Sequence, residues 1–121
     1  MPTKENKVVH QQQPISAYAW GVNCNAYVLS GSEHFSVKKE SIPSGSGEQF
    51  LLHHKATQFF YILEGTASFE IDGAAFEVNA GQGIEIFPGQ AHRISNNKEQ
   101  LLEFIVYSTP STDQDRLNLH S

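Results

Sequence analysis

The chain reads as an all-β domain, either a closed barrel or a double-sheet jelly roll. Two observations predict this. Short segments rich in β-branched and aromatic residues recur at close spacing, with turn residues between them. No segment keeps apolar residues three and four apart over the length of a helix. A third observation sets the scale: 121 residues with 39% hydrophobic side chains suit one domain. A core of that size needs neither a disulfide nor a structural metal.

Along the chain, residues 1–14 are polar and end at Pro14, which reads as an N-terminal arm. The barrel is expected over residues 15–109. Its strands are expected near 25–29, 35–42, 49–53, 58–63, 66–71, 75–78, 84–87, 91–95 and 101–107. Pro43-Ser44-Gly45-Ser46-Gly47 makes a loop and Asn96-Asn97-Lys98 a turn. Glu64-Gly65 and Asp72-Gly73 read as tight hairpins, because glycine accepts positive φ. Pro110 opens a second polar stretch, 110–121, read as a C-terminal tail in which Asp115 and Arg116 form an exposed charged pair.

Composition narrows the partners. The net charge is −5 and Lys and Arg form no cluster, so nucleic acid, which demands positive charge gathered against phosphate, is not expected. No apolar run approaches the roughly 20 residues that span a bilayer, and no membrane partner is expected. Cys24 is the one cysteine, which leaves no disulfide within the chain and reads as a buried, inert thiol. The first residues, MPTKENKVVHQQQ, lack the apolar stretch of a secretory signal, so a cytoplasmic protein is the expectation. His10, His34 and His120 read as solvated.

Two stretches carry chemistry. The first is GEQFLLHHKATQFFYILEG, from Gly47 to Gly65. The second is GQGIEIFPGQAHRISN, from Gly81 to Asn96. In order and at this separation, they resemble the two motifs of the cupin family. The second matches at Gly81, Gly89, His92 and Asn96, with Phe87 where proline is usual and Pro88 beside it. The resemblance covers about residues 25–108 and implies a double-stranded β-helix, the jelly-roll cupin barrel, as in small single-domain bacterial cupins.

The resemblance also implies a site. Cupins commonly hold one divalent metal on two histidines and a glutamate of the first motif and a histidine of the second. Those positions read here as Leu51, His53, Gln58 and His92. Two imidazoles and an amide oxygen remain, a neutral set compatible with zinc, iron, nickel or copper. Strand alternation puts Leu51 and His53 on one face and His54 on the other. A bulge, or a frame with His54 inside, changes that parity but still leaves a depleted set. Glu48, Glu85 and Glu103 are nearby acids that spacing does not place. A different reading needs no metal: Gln58 bridges the two imidazoles in a hydrogen-bonded polar cluster.

Alternation assigns the remaining positions. Leu51, Phe60 and Ile62 are expected to line the cavity, while Phe59, Tyr61 and Leu63 face away toward another sheet or a second subunit. Phe87 is expected in the core, with the cavity mouth as the alternative. Arg93 is expected to point away from His92 into a surface salt bridge. The function expected is a cupin that binds a small molecule in its barrel with one divalent metal, with oxygenation, isomerisation and hydrolysis all open. The alternative is a metal-free binding or sensing module. A homodimer is expected in either case.

Overall fold

The structure, a computed structural model, describes residues 5–119. Two antiparallel sheets form it. The larger holds β1 (Ser16–Trp20), β2 (Cys24–Gly31), β3 (Ser36–Ile42), β5 (Thr57–Glu64), β8 (Gly83–Ile86) and β10 (Leu102–Thr109), ordered β1-β2-β3-β10-β5-β8. The smaller holds β4 (Leu51–Leu52), β6 (Thr66–Ile71), β7 (Ala74–Asn79), β9 (His92–Ser95) and β11 (Leu117–Asn118), ordered β11-β4-β9-β6-β7. This is the jelly-roll barrel expected. Among the described residues no helix is long and apolar enough to cross a membrane. His10 and His34 are exposed; His120 lies outside the described residues.

Alternation builds the core. On β5, Gln58, Phe60 and Ile62 are buried, while Phe59, Tyr61 and Leu63 are each about two-fifths exposed. On β10, Leu102, Phe104, Val106 and Ser108 turn inward; on β6, Ala67, Phe69 and Ile71 do so. Phe60 meets Phe69 edge-on across the two sheets with ring centroids 5.2 Å apart, and meets Phe104 of the neighbouring strand at 5.6 Å. Such pairs add about 1 kcal/mol each beyond the area they bury. Cys24 sits in this core and is fully buried.

Turn chemistry explains the connections. Asp72 and Gly73, both at positive φ, join β6 to β7 as a two-residue hairpin. Glu64-Gly65 does something different from the hairpin expected: β5 and β6 lie in different sheets, so Gly65 alone carries the chain across the barrel edge. Its φ is 83°, and a Cβ there would come within 2.6 Å of the Leu101 carbonyl oxygen. Asn96, fully buried, ties the far loops together. Its amide donates to the carbonyls of Ile42 and Gln100 at 2.9 and 2.8 Å, and its oxygen accepts from Lys98 N–H.

Two strands fall where none was expected. β1 pairs along β2 as the exposed outer edge of the larger sheet. β11 lies in the stretch read as a tail and pairs Leu117 with Leu52 and Asn118 with Leu51.

Candidate functional site

The inward faces of the two sheets enclose a cavity of about 120 Å³. The structure brings His53, Gln58 and His92 together on its wall, 6%, 8% and 4% exposed, with the imidazole centroids 5.9 Å apart. Leu51 stands opposite His92 in the β4–β9 pair and lines the same wall, as does Phe60. Ile62 does not. One step further along the inward face of β5, it is sealed in the core at 0% exposure, in register with Phe104. His54 is exposed, in the bend that follows β4.

Hydrogen bonds fix both rings. His53 Nδ1 lies 2.7 Å from the Asp115 carbonyl oxygen, and His92 Nδ1 lies 2.9 Å from that of Gln90. A carbonyl can only accept, so each Nδ1 carries the proton and each Nε2 keeps its lone pair. Burial pushes both imidazoles below their ordinary pKa, which keeps the rings neutral. The turn of the second motif braces the pair: Gly89 N–H donates to the His53 carbonyl at 2.7 Å, one residue before the Gln90 carbonyl that holds His92.

Gln58 completes a set of acceptors. Its amide nitrogen donates to Ser108 Oγ at 3.1 Å, which commits that end of the side chain to β10. Its Oε1 is buried with no partner. The bridge from Gln58 to the imidazoles is therefore not formed. Among the described residues no three His, Cys, Asp or Glu side chains gather at one point. The three residues line one cavity, and two imidazoles with an amide are chemistry that fits a cation or a donor-bearing ligand.

The rest of the wall was not legible in the sequence. On β3 the inward face runs Ser36, Lys38, Glu40 and Ile42, with the apolar Val37 on the other face, and Lys38 and Glu40 line the cavity. Glu40 lines the cavity, and its carboxyl is pushed up to about 7, chiefly by burial. Glu48 nearby raises it further, while Lys38 and Arg116 oppose the rise. The Trp20 indole N–H also lines the cavity and approaches this carboxyl without meeting hydrogen-bond geometry. Lys38 donates to Tyr18 Oη at 3.0 Å.

Of the acids singled out earlier, Glu48 reaches the cavity, Glu85 is exposed, and Glu103 pairs with Lys39 at 3.4 Å. Arg93 points away from His92, pairs with Glu70 at 2.8 Å and lies over the Phe50 ring.

Two expectations are corrected. Asp115 and Arg116 do not pair with each other, and only Arg116 is exposed. Asp115 is 8% exposed because its carboxylate accepts backbone N–H groups from the loop after His53, and Arg116 reaches Glu48 at 2.8 Å on the cavity wall. Phe87 is 53% exposed, since it follows β8 directly and its side chain leaves the barrel.

Comparison with known proteins agrees with this geometry. The sequence profile of the cupin domain matches residues 38–108. Uncharacterized protein MJ1618 of Methanocaldococcus jannaschii is 32% identical over 75 residues, 62% of this chain, and the chain spans about 60% of that relative's length. Three solved structures share the fold. KdgF from Halomonas sp. has a TM-score of 0.80 at 11% identity, covering 91% of this chain and 98% of that one. A predicted oxalate decarboxylase from Thermotoga maritima has 0.73 at 19%, covering 86% and 99%. Streptomyces Pac13, a nucleoside dehydratase, has 0.77 at 14%, covering 96% and 92%. With the profile spanning more than half of its length and both motifs converging on one cavity, the chain belongs to the cupin family.

Proposed function

We propose that this cupin binds a small molecule inside its barrel on one divalent metal held by His53, Gln58 and His92. The observation that carries the reading is the group of three acceptors. Both Nδ1–H groups and the Gln58 amide are already engaged, so two Nε2 lone pairs and the partnerless Oε1 are left in a buried space. An unsatisfied buried acceptor costs about 1–3 kcal/mol, and a cation offsets that cost. Three neutral ligands leave positions for water or substrate. When bound, the metal supplies Lewis-acid polarisation of a ligand oxygen or an activated water.

The chain's own groups do the rest. Leu51, Phe60 and Phe104 exclude water from one part of the cavity. Glu40 offers a carboxyl whose protonation changes near neutral pH, suited to exchanging a proton with a bound ligand. Fold relatives named for reactions of nucleosides and of oxalate support a small polar ligand.

Elemental analysis of untagged protein tests the proposal, paired with mass spectrometry of whatever is released on denaturation. Stoichiometric metal that disappears in a His53→Ala, His92→Ala double variant is the expected result. Metal-free protein that still releases a small molecule overturns it in favour of a metal-free binding module, a reading favoured by Leu51 and Gln58 at positions where the family carries ligands.

The outer face of β5 and β10 supports a homodimer as well. Phe59, Tyr61, Leu63 and Tyr107 are each 41–42% exposed there, and Tyr107 stands opposite Phe59.

A further inference from the structure

We infer that Asp115 is a positioning residue for His53, through which the C-terminal strap of residues 111–119 sets the metal affinity of the cavity. This rests on the metal reading above but stands on separate contacts.

Asp115 grips the segment around His53 from two sides. Its backbone carbonyl takes the His53 Nδ1 proton at 2.7 Å. Its carboxylate takes the next three backbone N–H groups: His54 at 2.9 Å, Lys55 at 3.0 and 3.2 Å, and Ala56 at 2.9 Å. One residue thus fixes both the tautomer of the ring and the loop from which the ring hangs. A hydrogen bond of this kind on the far nitrogen of a ligating histidine is the usual device for aiming its free nitrogen.

The strap that carries Asp115 is anchored on both sides of it. Arg116 pairs with Glu48 at 2.8 Å, and Leu119 N–H donates to the Phe50 carbonyl at 2.8 Å beyond the β11–β4 pairing. Thr112 and Arg116 form part of the cavity wall. His92 has no share in this arrangement, since its Nδ1 proton goes to Gln90 within the second motif. The strap therefore hydrogen-bonds one imidazole of the pair and not the other.

The test compares wild type with Asp115→Ala, Asp115→Asn and Arg116→Ala. Nitrogen NMR of the imidazoles at pH 8 reads the tautomers in metal-free protein, and calorimetric titration reads Co²⁺ affinity. In Asp115→Ala, His53 is expected to lose its single Nδ1–H tautomer and become an averaged mixture while His92 keeps its signal. Alanine keeps the carbonyl that accepts from His53 and removes the carboxylate that holds it in place, so cobalt affinity is expected to fall about 10-fold, the low end of the range typical when the outer partner of a ligating histidine is disturbed.

Asp115→Asn keeps one acceptor oxygen but turns an NH₂ toward backbone donors, so an intermediate effect is expected. Arg116→Ala is expected to leave the His53 tautomer unchanged. A folded Asp115→Ala protein with wild-type His53 signals overturns the inference; if that variant does not fold, unchanged His53 signals in Asp115→Asn do so. A wild-type protein that takes up no cobalt defeats the metal reading instead, and the tautomer comparison still decides the role of Asp115.

Discussion

Replacing Glu40 by Gln should make the protein more stable at alkaline pH and leave it nearly unchanged in acid. Glu40 sits on the inward face of β3, between Ala26 of β2 and Phe104 of β10. Its carboxyl is raised from an ordinary 4.5 to about 7, first by burial and then by Glu48, against the pull of Lys38, the Trp20 indole and Arg116. Between those two values the folded protein holds a proton that the unfolded chain has released. Stability therefore falls as pH rises across this window and levels off above about 7.

At about 1.4 kcal/mol per pH unit, the gap amounts to roughly 3 kcal/mol. The amide is nearly isosteric and never ionises, so it removes this loss. At pH 8.5 the variant should gain roughly 3 kcal/mol, or about 10 °C in Tm for a domain of this size. At pH 5 the two proteins should agree within about 1 kcal/mol. His53 and His92, whose pKa values burial lowers, act in the opposite sense as pH rises, so only the difference between the two proteins isolates Glu40. Urea or thermal unfolding from pH 5 to 9 gives that difference. Parallel stability curves, or a variant less stable at pH 8.5, would refute the reasoning.

Leu51→His should restore a third imidazole opposite His92 and tighten Co²⁺ or Ni²⁺ binding by about tenfold or more, equivalent to 1.4 kcal/mol; competition titration that finds no gain would mean the position does not reach the metal. Sedimentation should find wild type at twice the chain mass, and Phe59→Glu with Tyr61→Glu should return it to a monomer by placing charge on the exposed outer face of β5. A wild type that stays monomeric at high concentration would end that proposal.

Much of this architecture was written in plain alternation. The run from Gln58 to Leu63 assigns its two faces correctly because one is packed and the other is solvated. The two motif stretches likewise led to His53, Gln58 and His92 in one cavity. The inward face of β3 was not legible for the converse reason. Its Lys38 and Glu40 face the cavity between the buried Ser36 and Ile42 while Val37 is on the other face, so hydrophobicity alone points the wrong way. Asp115 was missed because its partners are backbone N–H groups some 60 positions away, and no pattern in the sequence records a backbone acceptor at that distance. Gly65 read as a hairpin glycine because a turn within a sheet and a passage between sheets make the same demand on φ.

The brace at Gly89 and Gln90 bears on how the barrel tolerates ligands of different size. Consecutive residues, Gly89 and Gln90, hold the His53 main chain and the His92 ring, so one short turn carries both imidazoles as a single unit. If the sheets part to admit a bulkier guest, the two rings travel together and keep their spacing. Gln58 is tied instead to Ser108 on the opposite sheet and moves with that wall. A swelling barrel would thus loosen its grip at the amide first, leaving a two-histidine clasp intact.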